Sequence, residues 1–142
     1  FSRALARRRC VIPVEGFYEW ARRGGGKTPF FIQLADGSPM TFAGLYERWN
    51  DKTTGEVVDS FTIITTAPND LMAQIHDRMP VILSPAAAAQ WLRPTITAPE
   101  ATELLVPYSG GLQGWQVAPA VGQVRAEGPQ LARPVDGGVR LL

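Results

Sequence analysis

Apolar and polar positions along the chain predict a protein dominated by short β-strands. The segments concerned are rich in β-branched and aromatic residues and are bounded by Gly, Pro, Asn or Asp, as strands usually are. They cover residues 11–20, 29–34, 40–46, 57–66, 80–83 and 115–117. The run at 57–66, with Phe-Thr-Ile-Ile-Thr at its centre, is the most strand-like.

Two of these segments carry finer predictions. Pro13 and Gly16 interrupt the segment at 11–20, which predicts one strand with a kink or a bulge. The turn signal at 35–39 (Ala-Asp-Gly-Ser-Pro) predicts that 29–34 and 40–46 form a hairpin, with the second strand returning along the first. Gly24–Gly26 and the polar stretch at 50–56 are expected to be turns or loops.

Helix signals are few and come late in the chain. Asn69 or Asp70 could cap a short helix that continues to residue 75. Ser84 followed by Pro85 predicts a helix that ends before residue 94. The sequence 97–100 (Thr-Ala-Pro-Glu) resembles a capping box and begins another helix. Strands with a few short helices predict one α+β domain over residues 1–142, built on a curved, largely antiparallel, barrel-like sheet.

Length and composition limit the class of protein. The chain of 142 residues is 45% apolar, which suits one domain with a real core. No apolar run is long enough for a transmembrane helix, and the Arg-rich start is unlike a signal peptide. One cysteine cannot form an internal disulfide, so we expect a cytoplasmic protein in a reducing setting. We also expect a monomer.

Positive charge is concentrated near the start of the chain. Residues 1–27 contain seven cations and two acids, whereas the remainder is acidic overall. Such a region can contact phosphate groups, or it can be a solvated tail and loop.

Glu19 stands in the segment Glu-Gly-Phe-Tyr-Glu-Trp at 15–20. A carboxylate held between two large aromatic residues is suited to moving protons, and Trp20 offers a flat face on which an unpaired base can stack. The alternative is an ordinary strand with Glu19 in water.

His76, the single histidine, stands in the segment Ile-His-Asp-Arg-Met-Pro at 75–80. Histidine can transfer protons near neutral pH, and Arg78 can hold a phosphate. The alternative is a turn in which Asp77 accepts backbone hydrogen bonds and Arg78 covers apolar surface.

Metal and cofactor chemistry find no support in the sequence. One His and one Cys supply too few of the ligands that zinc prefers, and no phosphate-binding glycine loop is present. We therefore expect no metal and no cofactor. A thiol-peptidase interpretation pairs Cys10 with His76, but the neighbours of Cys10 favour a structural cysteine at the start of a strand.

Taken together, the segments resemble the SRAP (SOS response-associated peptidase) family. The similarity follows one order over nearly the whole chain. It is carried by residues 9–13, 16–20, 29–32, 42–47, 61–66, 69, 75–83, 91–92 and 117–124.

The resemblance implies a DNA-damage function. Members of the family recognise abasic sites in single-stranded DNA and join to them covalently. Their nucleophile is a cysteine at position 2 of the full-length protein, exposed by removal of the initiator Met, whose α-amine and thiol capture the sugar aldehyde as a thiazolidine. At the matching positions, Glu19 and His76 would be catalytic, and Trp20, Arg78 and Thr65 would contact DNA. The protein is then expected in the cytoplasm, on the nucleoid when bound.

The chain departs from the family at its start. The family's opening Cys-Gly-Arg segment is not in these residues, and Cys10 matches an internal cysteine instead. We therefore expect the N-terminal part of the domain to be missing and these 142 residues to be unable to form the thiazolidine. Two alternatives stay open: a single-stranded DNA-binding module without chemistry, and the thiol peptidase using Cys10 and His76.

Overall fold

The computed structural model describes residues 1–142, which divide into two compact units. The first unit contains residues 1–13, 41–67 and 80–108, and the second contains residues 14–40, 68–79 and 109–142. The assignment of the chain to a single domain stays a prediction.

Strands outnumber helices along the chain. The strands are β1 (Arg9–Val14), β2 (Phe17–Arg23), β3 (Gly26–Leu34), β4 (Met40–Asn50), β5 (Val57–Ile63), β6 (Thr65–Thr66), β7 (Met79–Pro80), β8 (Ile82–Leu83), β9 (Leu112–Gln116) and β10 (Arg140–Leu141). The α-helices are α1 (Ser2–Arg7), α2 (Asp70–Ala73), α3 (Pro85–Trp91) and α4 (Ala98–Glu103). Two short 3-10 helices follow at Pro119–Gly122 and Pro129–Ala132. None of the helices has the length and apolar character needed to cross a bilayer.

The first unit contains a four-stranded sheet. Its order is β1-β4-β5, and β8 also pairs with β4. Strand β4 is buried over four consecutive residues, 42–45, of which Ala43 and Leu45 pack in the apolar cluster of this unit. Strand β5 lies at an edge, and all seven of its residues are exposed, including Phe61 at 63%. Its strand-like sequence is therefore not a core sequence in this structure.

Helices α3 and α4 cover apolar residues of the first unit. Ser84 caps α3 by accepting from the backbone N–H of Ala87, and Pro85 occupies the first turn. Thr97 and Glu100 form a capping box at α4. Both helix starts are confirmed as predicted. Trp91, at the end of α3, is fully buried in a cluster with Leu5, Ala43, Leu45, Val81, Leu83 and Ala101.

The second unit contains the other four-stranded sheet, in the order β10-β9-β3-β2. Strands β2 and β3 form a hairpin whose turn contains Gly24 and Gly25, both with positive φ. Glycine adopts this backbone conformation without the steric cost that other residues incur. The turn predicted at Gly24–Gly26 is confirmed at Gly24 and Gly25, whereas Gly26 is the first residue of β3.

The α+β class with largely antiparallel pairing is confirmed. The pairs β2–β3, β3–β9, β9–β10, β4–β5 and β4–β8 are all antiparallel. The sheets are open, however, and do not close into a barrel.

Four predictions of strand extent or connection are wrong. The segments 57–66 and 80–83 each divide between two sheets, as β5 and β6 and as β7 and β8. The segment 11–20 is not one kinked strand, because the chain leaves β1 at Val14 and enters β2, in another sheet, at Phe17. The predicted hairpin of 29–34 with 40–46 does not form either. Both sides of β3 are occupied, by β2 and β9, while β4 pairs with β5 and β8. In each case, pairing with strands that are distant in sequence determines where a strand ends and which partner it has.

Helix α1 was not predicted, and it changes the interpretation of the basic region. Arg9 donates to the carbonyl oxygens of Leu5, Ala6, Trp91 and Arg93 at 2.6–2.8 Å. Arg8 forms an ion pair with Glu47 at 2.8 Å. At least these two cations therefore hold the fold together.

Gly16 packs where no larger residue fits. A Cβ at this position would lie 2.5 Å from the carbonyl oxygen of Ile32 and against the ring of Phe31. We expect Gly16→Ala to lower the free energy of unfolding by about 1–3 kcal/mol, as overpacking does. Urea unfolding measures this change. The matched control is Gly26→Ala, whose nearest neighbour would be 3.9 Å away; equal losses in the two variants would refute the packing argument.

Candidate active site

Glu19 and Trp20 lie side by side on β2, at the edge of the second unit's sheet. In the β2–β3 hairpin, Glu19 pairs with Phe30 and Trp20 with Pro29. Successive side chains of a strand point to opposite faces. Because β2 has no neighbour on its outer side, both side chains can border a cavity along that edge.

His76 is positioned by the end of α2. Asn69 caps this helix by accepting from the backbone N–H of Met72, as predicted. Beyond the helix, the N–H groups of Ile75 and His76 both donate to the carbonyl of Met72, at 2.9 and 2.8 Å. Ile75 is buried. The tight turn and this buried neighbour hold His76 in place, with its side chain 38% exposed.

The carboxylate of Glu19 faces the imidazole of His76. Oε1 of Glu19 lies 3.8 Å from Nε2 of His76, and the Glu19 side chain is only 23% exposed. The same Oε1 accepts a hydrogen bond of 3.0 Å from the backbone N–H of Trp20, which fixes the carboxylate. Two groups at this distance can exchange a proton through a small movement or through one water.

The other ring nitrogen of His76 is held by its own loop. Nδ1 lies 3.1 Å from both the backbone N and the carbonyl O of Arg78, and 3.3 Å from Oδ1 of Asp77. When Nδ1 accepts from the Arg78 N–H, the neutral ring has its proton on Nε2, the atom that faces Glu19. When the ring is protonated, Nδ1 can donate to the carbonyl or to Asp77. Both protonation states are therefore accommodated, as an acid–base group requires.

A cavity of about 1060 Å³ connects these side chains. All of its walls belong to the second unit. It is lined by Glu19, Trp20, Arg22, Lys27, Pro68, Ala73, Gln74, Ile75, His76, Asp77 and Gly122. The mixture of an aromatic face, two cations and an acid–base pair suits a polar ligand with a flat part and a negative charge.

The structure brings together three of the five predicted site residues. Glu19, Trp20 and His76 all line the cavity. Arg78 is exposed in the loop after His76 and is not part of the cavity wall, although its backbone anchors the imidazole. Thr65 belongs to β6 of the first unit. The DNA contacts assigned to Arg78 and Thr65 stay predictions.

The sequence does not single out Arg22 and Lys27, which belong to the basic region at 1–27. The glycines between them are a signal that could have paired them, because residues on either side of a tight hairpin turn face each other across it.

Cys10 lies in β1 of the first unit and is half-buried, and burial raises the pKa of its thiol. A raised pKa leaves less thiolate at neutral pH, which opposes a role as nucleophile. No group of three or more His, Cys, Asp or Glu side chains is arranged to hold a metal ion.

We expect iodoacetamide to alkylate Cys10 several-fold more slowly in the native protein than in the urea-unfolded protein at pH 7.5. The reason is the smaller thiolate fraction, so the native rate should rise only as the pH approaches the raised pKa. Rates followed by mass spectrometry between pH 7 and 10 test this. Native alkylation as fast as in urea, or faster, would identify an activated thiol and support the thiol-peptidase alternative.

Sequence comparison gives one family over most of the chain. The family model described as SOS response associated peptidase (SRAP) matches residues 1–124. The abasic site processing protein YoqW of Bacillus subtilis is 42% identical over 134 residues, which are 92% of this chain and 59% of that protein. YedK of Escherichia coli, which has the same description, is 37% identical over 89% of this chain and 58% of its own length. The chain thus spans less than two thirds of these relatives.

Solved structures agree on the fold. A protein from Bacteroides thetaiotaomicron superposes with a TM-score of 0.86 at 30% identity, over 94% of this chain and 59% of that one. A protein from Bordetella bronchiseptica superposes with a TM-score of 0.71 at 33% identity, over 82% of this chain and 58% of that one.

Proposed function

Since the chain belongs to the SOS response associated peptidase family, we propose that it provides the acid–base and DNA-holding part of a site that processes abasic sites in single-stranded DNA. Relatives such as YoqW and YedK are named abasic site processing proteins, which supports DNA with abasic sites as the substrate. The observation that carries the proposal is the Glu19 carboxylate 3.8 Å from the His76 imidazole, in a cavity walled by Trp20.

The chemistry proposed is covalent capture of the sugar aldehyde. The α-amine of an N-terminal cysteine, outside these 142 residues, adds to C1′ of the ring-opened sugar, and loss of water gives a Schiff base. The thiol of the same cysteine then adds to the C=N carbon, and its proton passes to the nitrogen. One water leaves and a thiazolidine remains, with no oxidant or reductant needed.

Glu19 is proposed to move protons in the Schiff-base step. The attacking amine must lose a proton, and the departing hydroxyl must gain one. A carboxylate fixed by the Trp20 N–H and partly shielded from water can do both in turn. The same group is proposed to assist removal of the initiator Met, which exposes the cysteine.

His76 is proposed to act on the sugar ring. Opening the ring puts a proton on the ring oxygen, while the C1′ hydroxyl loses its proton to solvent. Nε2, the nitrogen that lies 3.8 Å from Oε1 of Glu19, is proposed to supply the first of these protons. The same nitrogen would accept that proton when the crosslink reverses, because forward and reverse paths share one transition state.

Trp20 is proposed to stack against a base next to the lesion. It lines the cavity beside Glu19, and base–aromatic stacking contributes about 1–3 kcal/mol without reading sequence. The abasic sugar itself has no base to stack, so this contact would place the lesion rather than hold it.

The test is adduct formation by the full-length gene product. Incubation with single-stranded DNA that contains one abasic site should give an adduct that survives denaturing electrophoresis, and replacement of the N-terminal cysteine with Ser should abolish it. The same strand without an abasic site is the control. No adduct, together with reversible binding, would instead support a single-stranded DNA-binding module without chemistry.

A further inference from the structure

Two cations face each other across the β2–β3 hairpin at the cavity wall. Arg22 and Lys27 are directly paired in the register, both are exposed, and both line the cavity. Like charges placed opposite each other on neighbouring strands are destabilising. A bound anion between them would remove that repulsion.

Neither cation is used by the fold. Arg22 and Lys27 take part in none of the ion pairs of the structure. Their neighbour Arg23 differs, because its guanidinium lies 5.3 Å over the ring of Phe30. The hairpin therefore has one arginine packed against the protein and a pair of cations directed at the cavity.

The pair lies on the same face of the hairpin as Trp20. Side chains two residues apart on a strand lie on the same face, about 7 Å apart. Arg22 is therefore the next residue after Trp20 on this face of β2. Lys27 shares this face because it is paired with Arg22. A base stacked on Trp20 would bring its own strand's backbone past the two cations.

We propose that Arg22 and Lys27 together bind one backbone phosphate of the single strand whose base lies on Trp20. The inference rests on the proposed DNA function and adds a contact that fixes where the strand enters the cavity. The guanidinium of Arg22 can donate two parallel hydrogen bonds to the phosphate oxygens, and the ammonium of Lys27 adds a second positive charge.

The salt dependence of binding tests the pair. The wild-type protein, the double variant Arg22→Gln/Lys27→Gln and the control Arg23→Gln are titrated against a fluorescent single strand that contains a stable tetrahydrofuran abasic analogue, at several salt concentrations. Loss of one phosphate contact should reduce the slope of log K against log salt by about 0.7 in the double variant. Arg23→Gln should keep the wild-type slope, and circular dichroism should show all three proteins folded.

The outcomes separate this proposal from the function. A wild-type slope in the folded double variant, or an equal loss in Arg23→Gln, overturns the phosphate contact even where the full-length protein forms adducts. A slope reduced only in the double variant supports it, and does so even where no adduct forms and the covalent chemistry fails.

Discussion

Replacing Glu19 with Gln is expected to slow adduct formation by at least about 100-fold, the usual range for loss of a general acid–base group. The amide has nearly the size of the carboxylate and can still accept from the Trp20 N–H through its oxygen. It cannot, however, accept and return a proton. The loss should therefore appear in the rate at saturating DNA, with binding affinity changed much less.

Rapid-quench time courses on abasic-site single strands give this rate. Glu15→Gln is the matched control, because Glu15 is exposed in the connection between β1 and β2 and does not line the cavity. Equal rates for Glu19→Gln and wild type would exclude Glu19 from the chemistry, provided that the initiator Met has been removed completely from the N-terminal cysteine of both proteins.

Replacing Trp91 with Ala is expected to cost about 3–5 kcal/mol of the free energy of unfolding, which is a large part of a typical domain's stability. The Trp91 ring is fully buried, so its removal leaves a cavity. The change also leaves the carbonyl of Cys10 without the indole N–H that donates to it at 2.8 Å. The Arg9 guanidinium, 5.9 Å from the ring centroid, loses its stacking partner as well.

Trp91→Phe separates these contributions. Phenylalanine keeps much of the apolar volume but has no N–H, so its smaller loss reports mainly the hydrogen bond and the remaining space. Urea unfolding followed by circular dichroism measures both variants. A loss below 1 kcal/mol in Trp91→Ala would contradict the placement of this side chain at the centre of the first unit's core.

Helix starts could be predicted from the sequence because their causes are local. Ser84 and Asn69 each accept from a backbone N–H three residues ahead, and Thr97 pairs with Glu100 over the same distance. Such signals lie within one turn of chain and do not depend on the rest of the fold. The glycine turn between β2 and β3 is local in the same sense.

Strand partners could not be predicted in this way. A turn signal at 35–39 says that the chain reverses, but not that both sides of β3 are already occupied by β2 and β9. The exposure of β5 is a similar case, because a strongly strand-like sequence does not tell which of its faces is covered.

The candidate site was predictable in its residues but not in its geometry. Residue type and family resemblance point to Glu19, Trp20 and His76, while their meeting in one cavity depends on α2 lying in the same unit as β2. The role of the Arg78 backbone in holding His76 has no sequence signal, since any residue could supply it. The sequence alone does not show that Arg22 and Lys27 lie opposite each other; the β2–β3 register shows it.

The most direct test is NMR shift mapping of the protein with a single strand that contains a tetrahydrofuran abasic analogue. The account predicts that the largest shifts occur at the Glu19 amide, the Trp20 indole N–H and the His76 ring, and that they exceed those caused by the same strand with every base intact. Shifts that avoid these three residues, or that are equal for the two strands, would contradict an abasic-site function for this cavity.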